Sequence, residues 1–168
     1  MRVGLFVTCL VDLMRPSIGF AALRLLEEAG CEVVVPATQT CCGQPGWNSG
    51  DRAATRALAE KLLDEFEACD YVVAPSGSCS GMIRTHYPAL FENEPVLRDR
   101  IGKLCAKTYE LTDFLVSVAK LERVPGDFNG SVAYHDSCAG LREMGVKRQP
   151  RALLAKVPGV EMVELNEC

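Results

Sequence analysis

The sequence predicts an α/β protein of parallel β-α-β units, internally duplicated, with the second copy incomplete. Three observations carry that expectation. Short runs of strand-forming apolar residues recur along the chain, and helical patterns separate them. Cysteines follow the runs at intervals of about one β-α-β unit. The first run is Val3 to Thr8. After Pro16 comes a helical pattern through Leu23, Leu25, Leu26 and Ala29, stopped by Gly30. Glu32 to Val35 is a second strand, whose three consecutive valines suit burial on both faces. Asn48, Ser49 and Gly50 then start a helix in which Ala54, Leu58, Leu62 and Phe66 share one face. Tyr71 to Ala74 is a third strand, and Leu111 to Leu121 a further helix with Thr112 as its cap. Pro125, Gly126, Asn129 and Gly130 mark Glu122 to Gly130 as a connection.

Beyond that connection the pattern begins again. V-G-L-F-V-T-C at Val3 to Cys9 is echoed by V-A-Y-H-D-S-C at Val132 to Cys138, and the segment from Gly30 to Cys41 by Gly159 to Cys168. The step from Val3 to Val132 equals the step from Gly30 to Gly159, and that common offset points to duplication. Residues 1–128 are read as the first unit and 129–168 as the start of a second, truncated at Cys168.

Composition narrows the function classes. A chain of 168 residues can bury a core without disulfides. Hydrophobic residues at 48% and charged residues at 24% exclude a disordered or collagen-like chain. With 18 Lys and Arg against 22 Asp and Glu, the net charge of −4 supplies no basic field for nucleic acid or an anionic membrane. Val3 to Val11 resembles a leader core, but Asp12 and Arg15 follow at once without a small-residue cleavage site, so a strand is the better reading. No apolar run approaches the roughly 18 residues of a membrane span. The expected location is the reducing cytoplasm, where nine clustered cysteines mean metal or redox chemistry more often than bridges.

Cys9 follows strand one, Cys41 and Cys42 follow strand two, and Cys79 follows strand three. The stretches from Cys9 to Cys41 and from Cys42 to Cys79 are each close to the length of one β-α-β unit. In a parallel sheet that spacing returns each turn to one edge, the crevice where open α/β sheets bind ligands. Gly43 can take positive φ and turn amides toward sulfur, while Pro75 to Ser78 makes a turn opening a helix at Cys79. Converging thiolates need a compensating cation: iron, an iron–sulfur cluster or zinc. A thiol-disulfide enzyme is the remaining reading, weakened because no C-x-x-C is present and adjacent cysteines bridge only with strain.

Other residues have plainer explanations. Cys31, Cys69 and Cys105 are expected to pack as small hydrophobes. His135 is a candidate ligand or proton carrier but better suits a strand histidine held by a backbone partner, and His86 suits the surface. Arg142, Lys147, Arg148 and Arg151 form a basic stretch that either holds a substrate carboxylate or an acidic partner subunit or, as the plainer reading, is a solvated face, and Trp47 either shields the cysteine pair or simply packs. No G-x-G-x-x-G or phosphate loop appears, and no side chain is assigned a catalytic role.

Together C-C-G-Q-P at Cys41 to Pro45, N-S-G at Asn48 to Gly50, P-S-G-S-C at Pro75 to Cys79 and Y-H-D-S-C at Tyr134 to Cys138 resemble the cysteine-rich CCG-domain family. The likeness is to its branch of lactate-utilisation proteins, glycolate oxidase iron–sulfur subunits and heterodisulfide reductase B subunits. The resemblance implies two CCG repeats and an iron–sulfur cluster of the [4Fe-4S] class, noncubane in the heterodisulfide reductase members, with zinc in some relatives. It also implies electron transfer during oxidation of L-lactate to pyruvate, beside a ferredoxin-like iron–sulfur subunit and a further small subunit. By this resemblance Cys9, Cys41, Cys42 and Cys79 are ligands of the first motif, and Cys138 and Cys168 belong to the second. Met82 stands where the full motif has its last cysteine, which leaves four thiolates for an ordinary [4Fe-4S] cluster. A zinc-stabilised assembly module and a thiol or heterodisulfide redox protein are the alternatives. Handling in air is expected to leave the site empty and its thiols oxidised or partly paired.

Overall fold

Alternation along the first strand sets up the whole architecture. In the computed structural model, which describes residues 1–165, β1 (Arg2–Leu5) pairs with β2 (Glu32–Val34) and with β3 (Tyr71–Ala74), and β3 pairs with β4 (Thr108–Glu110). The sheet is parallel with order β2-β1-β3-β4, Val3 lying opposite Val33 and Gly4 opposite Val72. Parallel pairing obliges the helices to cross over and cover both faces.

On one face Val3 and Leu5 join Ala22 and Leu26 of α2 (Pro16–Glu28), with Phe114 and Leu115. On the other, Phe6 packs with Leu62, Leu63 and Phe66 of α4 (Arg52–Phe66) and with Ile101 and Leu104 of a helix over Pro95–Ala106. Gly4 is required here: a Cβ would stand 2.3 Å from Phe66 Cδ1, so α4 lies directly against the strand. Cys31, Cys69 and Cys105 are buried, as packing hydrophobes should be.

Several local expectations are corrected. β2 is an edge strand, so its valines are only half-buried and Val35, just past it, is 45% exposed. A short helix, α1 (Cys9–Met14), precedes α2. Asn48 and Ser49 belong to α3 (Gln44–Ser49), and α4 is capped by Asp51, whose carboxylate accepts from the Ala54 amide at 3.0 Å. The expected helix at Leu111 is one α turn, Leu111–Asp113, running into a π turn over Phe114–Val118. Its cap is Glu110 rather than Thr112, accepting from the Thr112 amide at 2.8 Å. Neither β4 nor the Pro95–Ala106 helix is foreseen by the sequence pattern.

The later segment forms its own parallel pair. β5 (Gly130–Ala133) and β6 (Val160–Val163) lie side by side, Val132 opposite Met162 and Ala133 opposite Val163. That register repeats the pairing of Val3 with Val33 and Gly4 with Val34, displaced by the same offset that relates the two sequence echoes. Among the described residues, no helix is long and apolar enough to cross a membrane.

Candidate metal centre

The turns after β1, β2 and β3 meet at the carboxyl rim of the sheet. Between β1 and β3 the strand order reverses direction, which is where open α/β sheets leave a crevice. Cys9 is the first residue of α1, Cys41 and Cys42 lie in the loop after β2, and Cys79 sits in α5 (Gly77–Gly81) after β3. The Cys9 and Cys41 sulfurs are 3.7 Å apart. Cys42 and Cys79 form a second pair, near enough that each shifts the other's thiol. All of these cysteines are free thiols.

Local chemistry fixes the turns. Gly43 takes φ of +81°, as its place after the cysteine pair suggested, and its amide donates to Cys41 Sγ at 3.4 Å. The Ser76 hydroxyl accepts from the Cys79 amide at 3.4 Å and opens α5. Tyr87, fully buried, donates its hydroxyl to the Cys42 carbonyl at 2.9 Å. Gln39 ties the Cys41 loop to the end of β1: its Oε1 accepts from the Val7 amide at 2.7 Å, and its Nε2 donates to the Leu5 carbonyl at 3.3 Å. Ser76 belongs to the turn expected to open a helix at Cys79, whereas Tyr87 and Gln39 were not singled out from sequence. Only Gln39, two residues before Cys41, carried a usable signal, since Asn166 stands two residues before Cys168.

The electrostatics divide the thiols. Cys79 is pulled down to about 6, first by the hydrogen bond from Cys42 and then by the Ser76 and Ser78 hydroxyls, against the effect of burial. Cys42 is pushed up as the donor of that bond and by burial. Burial, then the contact with Cys41, pushes Cys9 up, and charge on Cys79 adds to it. Cys79 is therefore the readiest thiolate on a rim where further negative charge is resisted.

This donor set is all sulfur, the chemistry that soft metal ions and iron–sulfur clusters select. Among the described residues no three His, Cys, Asp or Glu side chains close around a single ion. The rim brings its sulfurs together as two pairs, Cys9 with Cys41 and Cys42 with Cys79.

The remaining candidates lie elsewhere. Cys138 is exposed at the start of α8 (Cys138–Arg142), and Cys168 lies outside the described residues. α8 abuts α5 so closely that a Cβ on Gly77 would stand 2.6 Å from Gly140 Cα. His135 is exposed on the loop after β5, not in a strand. His86 is not a free surface side chain: it stacks on Trp47 at 5.0 Å between ring centres and faces Glu143 at 3.7 Å. Arg52 covers the Trp47 ring at 3.5 Å. Arg151 departs from the solvated basic stretch, because it pairs with Asp136 and Glu164 at 2.8 and 2.7 Å.

Comparison with known proteins agrees with this geometry. The CCG "Cysteine-rich domain" family matches residues 3–84 and 132–168, the two segments that carry the strand-end cysteines. Lactate utilization protein A of Geobacillus kaustophilus (strain HTA426) is 46% identical over 165 residues, covering 98% of this chain and 69% of that protein. The Bacillus subtilis (strain 168) protein of the same name is 44% identical over 165 residues, with the same coverage of 98% and 69%. That of Exiguobacterium sp. (strain ATCC BAA-1283 / AT1b) is 47% identical over 166 residues, covering 98% of this chain and 67% of its own length. The chain belongs to the cysteine-rich CCG-domain family, alongside proteins named lactate utilization protein A.

Proposed function

We propose that the chain is an iron–sulfur electron-transfer subunit of a system that oxidises L-lactate, or a related 2-hydroxy acid, to pyruvate. Its partners in this reading are a ferredoxin-like iron–sulfur subunit and a further small subunit, in the cytoplasm. The substrate class rests on the names of the relatives. The observation that supports the electron-transfer role is the convergence of four thiols from three strand-end turns, with the Cys9 and Cys41 sulfurs 3.7 Å apart and Cys42 and Cys79 shifting one another. Cys9, Cys41, Cys42 and Cys79 would hold a [4Fe-4S] cluster, which supplies one-electron transfer when bound. Cys138 and Cys168 are assigned to the second motif.

The chain's own residues do the rest. The Gly43 amide donates to the Cys41 sulfur, and the Ser76 and Ser78 hydroxyls beside Cys79 pull its thiol down, which favours the charged thiolate and tunes the potential. Buried Tyr87 anchors the Cys42 peptide, and half-buried Trp47, packed against the same core, limits access of water.

Anaerobic reconstitution with iron and sulfide tests the proposal. The expected product is brown, binds about four irons per chain, and gives a paramagnetic signal on reduction that is lost when Cys41 and Cys42 are both replaced by Ser. A colourless product, or stoichiometric zinc whose chelation unfolds the protein, would overturn it in favour of an assembly module.

A further inference from the structure

A cavity of about 460 Å³ opens beside Cys9, between the end of β2 and the helices α1 and α2. Sites of this size take molecules of one or a few rings. Its wall is apolar, formed by Leu5, Val7, Phe20, Leu23, Val35 and Pro36. No Lys, Arg or His lines it, and the carboxylate at its edge is Asp12. Gln39 also lines it, but both ends of its side chain are committed to backbone, the Leu5 carbonyl in β1 and the Val7 amide just past it.

The later strand pair treats the corresponding place differently. In the shared register, the positions equivalent to Val7 and Val35 are Asp136 and Glu164. Arg151 joins these two carboxylates, with Nη1 at 2.8 Å from Asp136 Oδ1 and Nε at 2.7 Å from Glu164 Oε1. An ionic clamp thus stands where the first unit keeps an apolar hollow. The hollow continues into exposed apolar side chains, Leu13 at 76% and Phe20 at 67%, an arrangement that marks a binding surface.

We infer that this hollow binds a neutral, predominantly apolar ring molecule, seated against the Cys9 turn. This goes beyond the proposed electron-transfer role and does not depend on it. A small anion such as lactate meets Asp12 and no cation there, and a cation would surrender hydration to an apolar wall for one rim carboxylate. A single side chain from a partner would leave much of the volume empty, and unfilled apolar volume is costly. A neutral ring is the occupant that the wall and the charge both accept.

The test uses the full metal-free, reduced chain, so failed cluster reconstitution leaves its result intact. The probe is Nile red, with 2-naphthol and its anionic counterpart 2-naphthoate as competitors. The expected result is saturable one-to-one binding with blue-shifted emission, displaced roughly tenfold more effectively by 2-naphthol than by 2-naphthoate. Val35→Glu should weaken binding roughly tenfold and Val35→Ile should retain it. Phe20→Ser gives a second lesion in the same wall, and Val96→Glu, at a position 76% exposed and outside the lining, should change nothing. Thermal unfolding confirms that each variant is folded. No saturable binding, equal displacement by both competitors, or unchanged affinity in folded Val35→Glu and Phe20→Ser would overturn the inference.

Discussion

Replacing Tyr87 by Phe isolates one bond that holds the metal site to the core. The ring is fully buried and remains in the variant, so no cavity opens. What disappears is the hydroxyl donated at 2.9 Å to the Cys42 carbonyl. Burial holds the phenol well above its ordinary value, so it is a donor throughout the usable pH range. Cys42 itself is 3% exposed, so water has little access to the abandoned carbonyl. Leaving a buried acceptor unsatisfied costs about 1–3 kcal/mol, and roughly 2 kcal/mol is the expected value here. For a chain of this size that lowers Tm by about 4–8 °C. Urea unfolding of the reduced, metal-free protein, followed by circular dichroism, measures it, with an unchanged m value showing that the fold is the same. Iron retained after reconstitution should also fall, because Cys42 loses the tether that sets it against Cys79. A loss of stability under about 0.3 kcal/mol would refute the reasoning, since that is less than an ordinary hydrogen bond contributes.

Three further expectations follow from individual residues. Gly43→Ala places a side chain at φ of +81° and a Cβ 3.1 Å from Thr55 Cγ2, so thermal unfolding should show a loss of about 1–2 kcal/mol; an unchanged Tm would show that the turn relaxes freely. Burial raises the Glu110 carboxyl, outweighing the hydrogen bonds from Thr112 and Asp113. The stability it contributes is therefore full below its unfolded pKa of about 4 and is lost as pH rises through the higher folded value. Glu110→Gln should accordingly gain stability relative to the natural chain as pH rises above about 4, and a difference that stays flat with pH would contradict the assignment. Arg151→Ala strands the buried Asp136 and frees Glu164, so amide hydrogen exchange should quicken across β5, β6 and the loop before Cys138. Arg151→Lys should not restore protection, because only the guanidinium reaches two carboxylates at once.

The parts of the fold legible in the sequence were those whose own residues carry the signal. Val3 to Leu5, Tyr71 to Ala74 and the Leu62 and Phe66 part of the face expected on α4 announce themselves through periodicity and burial, whereas Ala54 is exposed and Leu58 half-buried because Thr55 and Ala59 turn inward instead. So does the turn after Cys42, because glycine is the residue that takes positive φ. Features decided by distant partners were hidden. α1 shows Leu10, Leu13 and Met14 to solvent, so no buried stripe marks it as a helix. β4 is three residues long and contains a glutamate that becomes a cap. Whether three valines lie in a central or an edge strand depends on which strand comes to rest beside them. Convergence of the cysteines was readable from spacing, but the division into two pairs was not. It depends on Gln39 reaching β1 and on Tyr87 reaching Cys42, far away in sequence.

Met82 bears on the kind of centre these thiols can hold. It occupies the position where the full motif has a further cysteine, yet its side chain is fully buried with Ile83, Tyr87 and Phe91. It serves as core on the covered face of the sheet, within a π turn over Met82–His86 that follows directly from α5. Bringing its thioether to the rim would empty a packed site, and large-to-small losses in cores cost about 2–5 kcal/mol. Cys9, Cys41, Cys42 and Cys79 are therefore the sulfurs the rim offers among the described residues, and the proposed cluster is the four-thiolate kind. Met82→Cys tests the point: a thiol buried in that core should leave the iron content and the reduced-state signal of the reconstituted protein unchanged, whereas a new signal would mean that the π turn rearranges to present it.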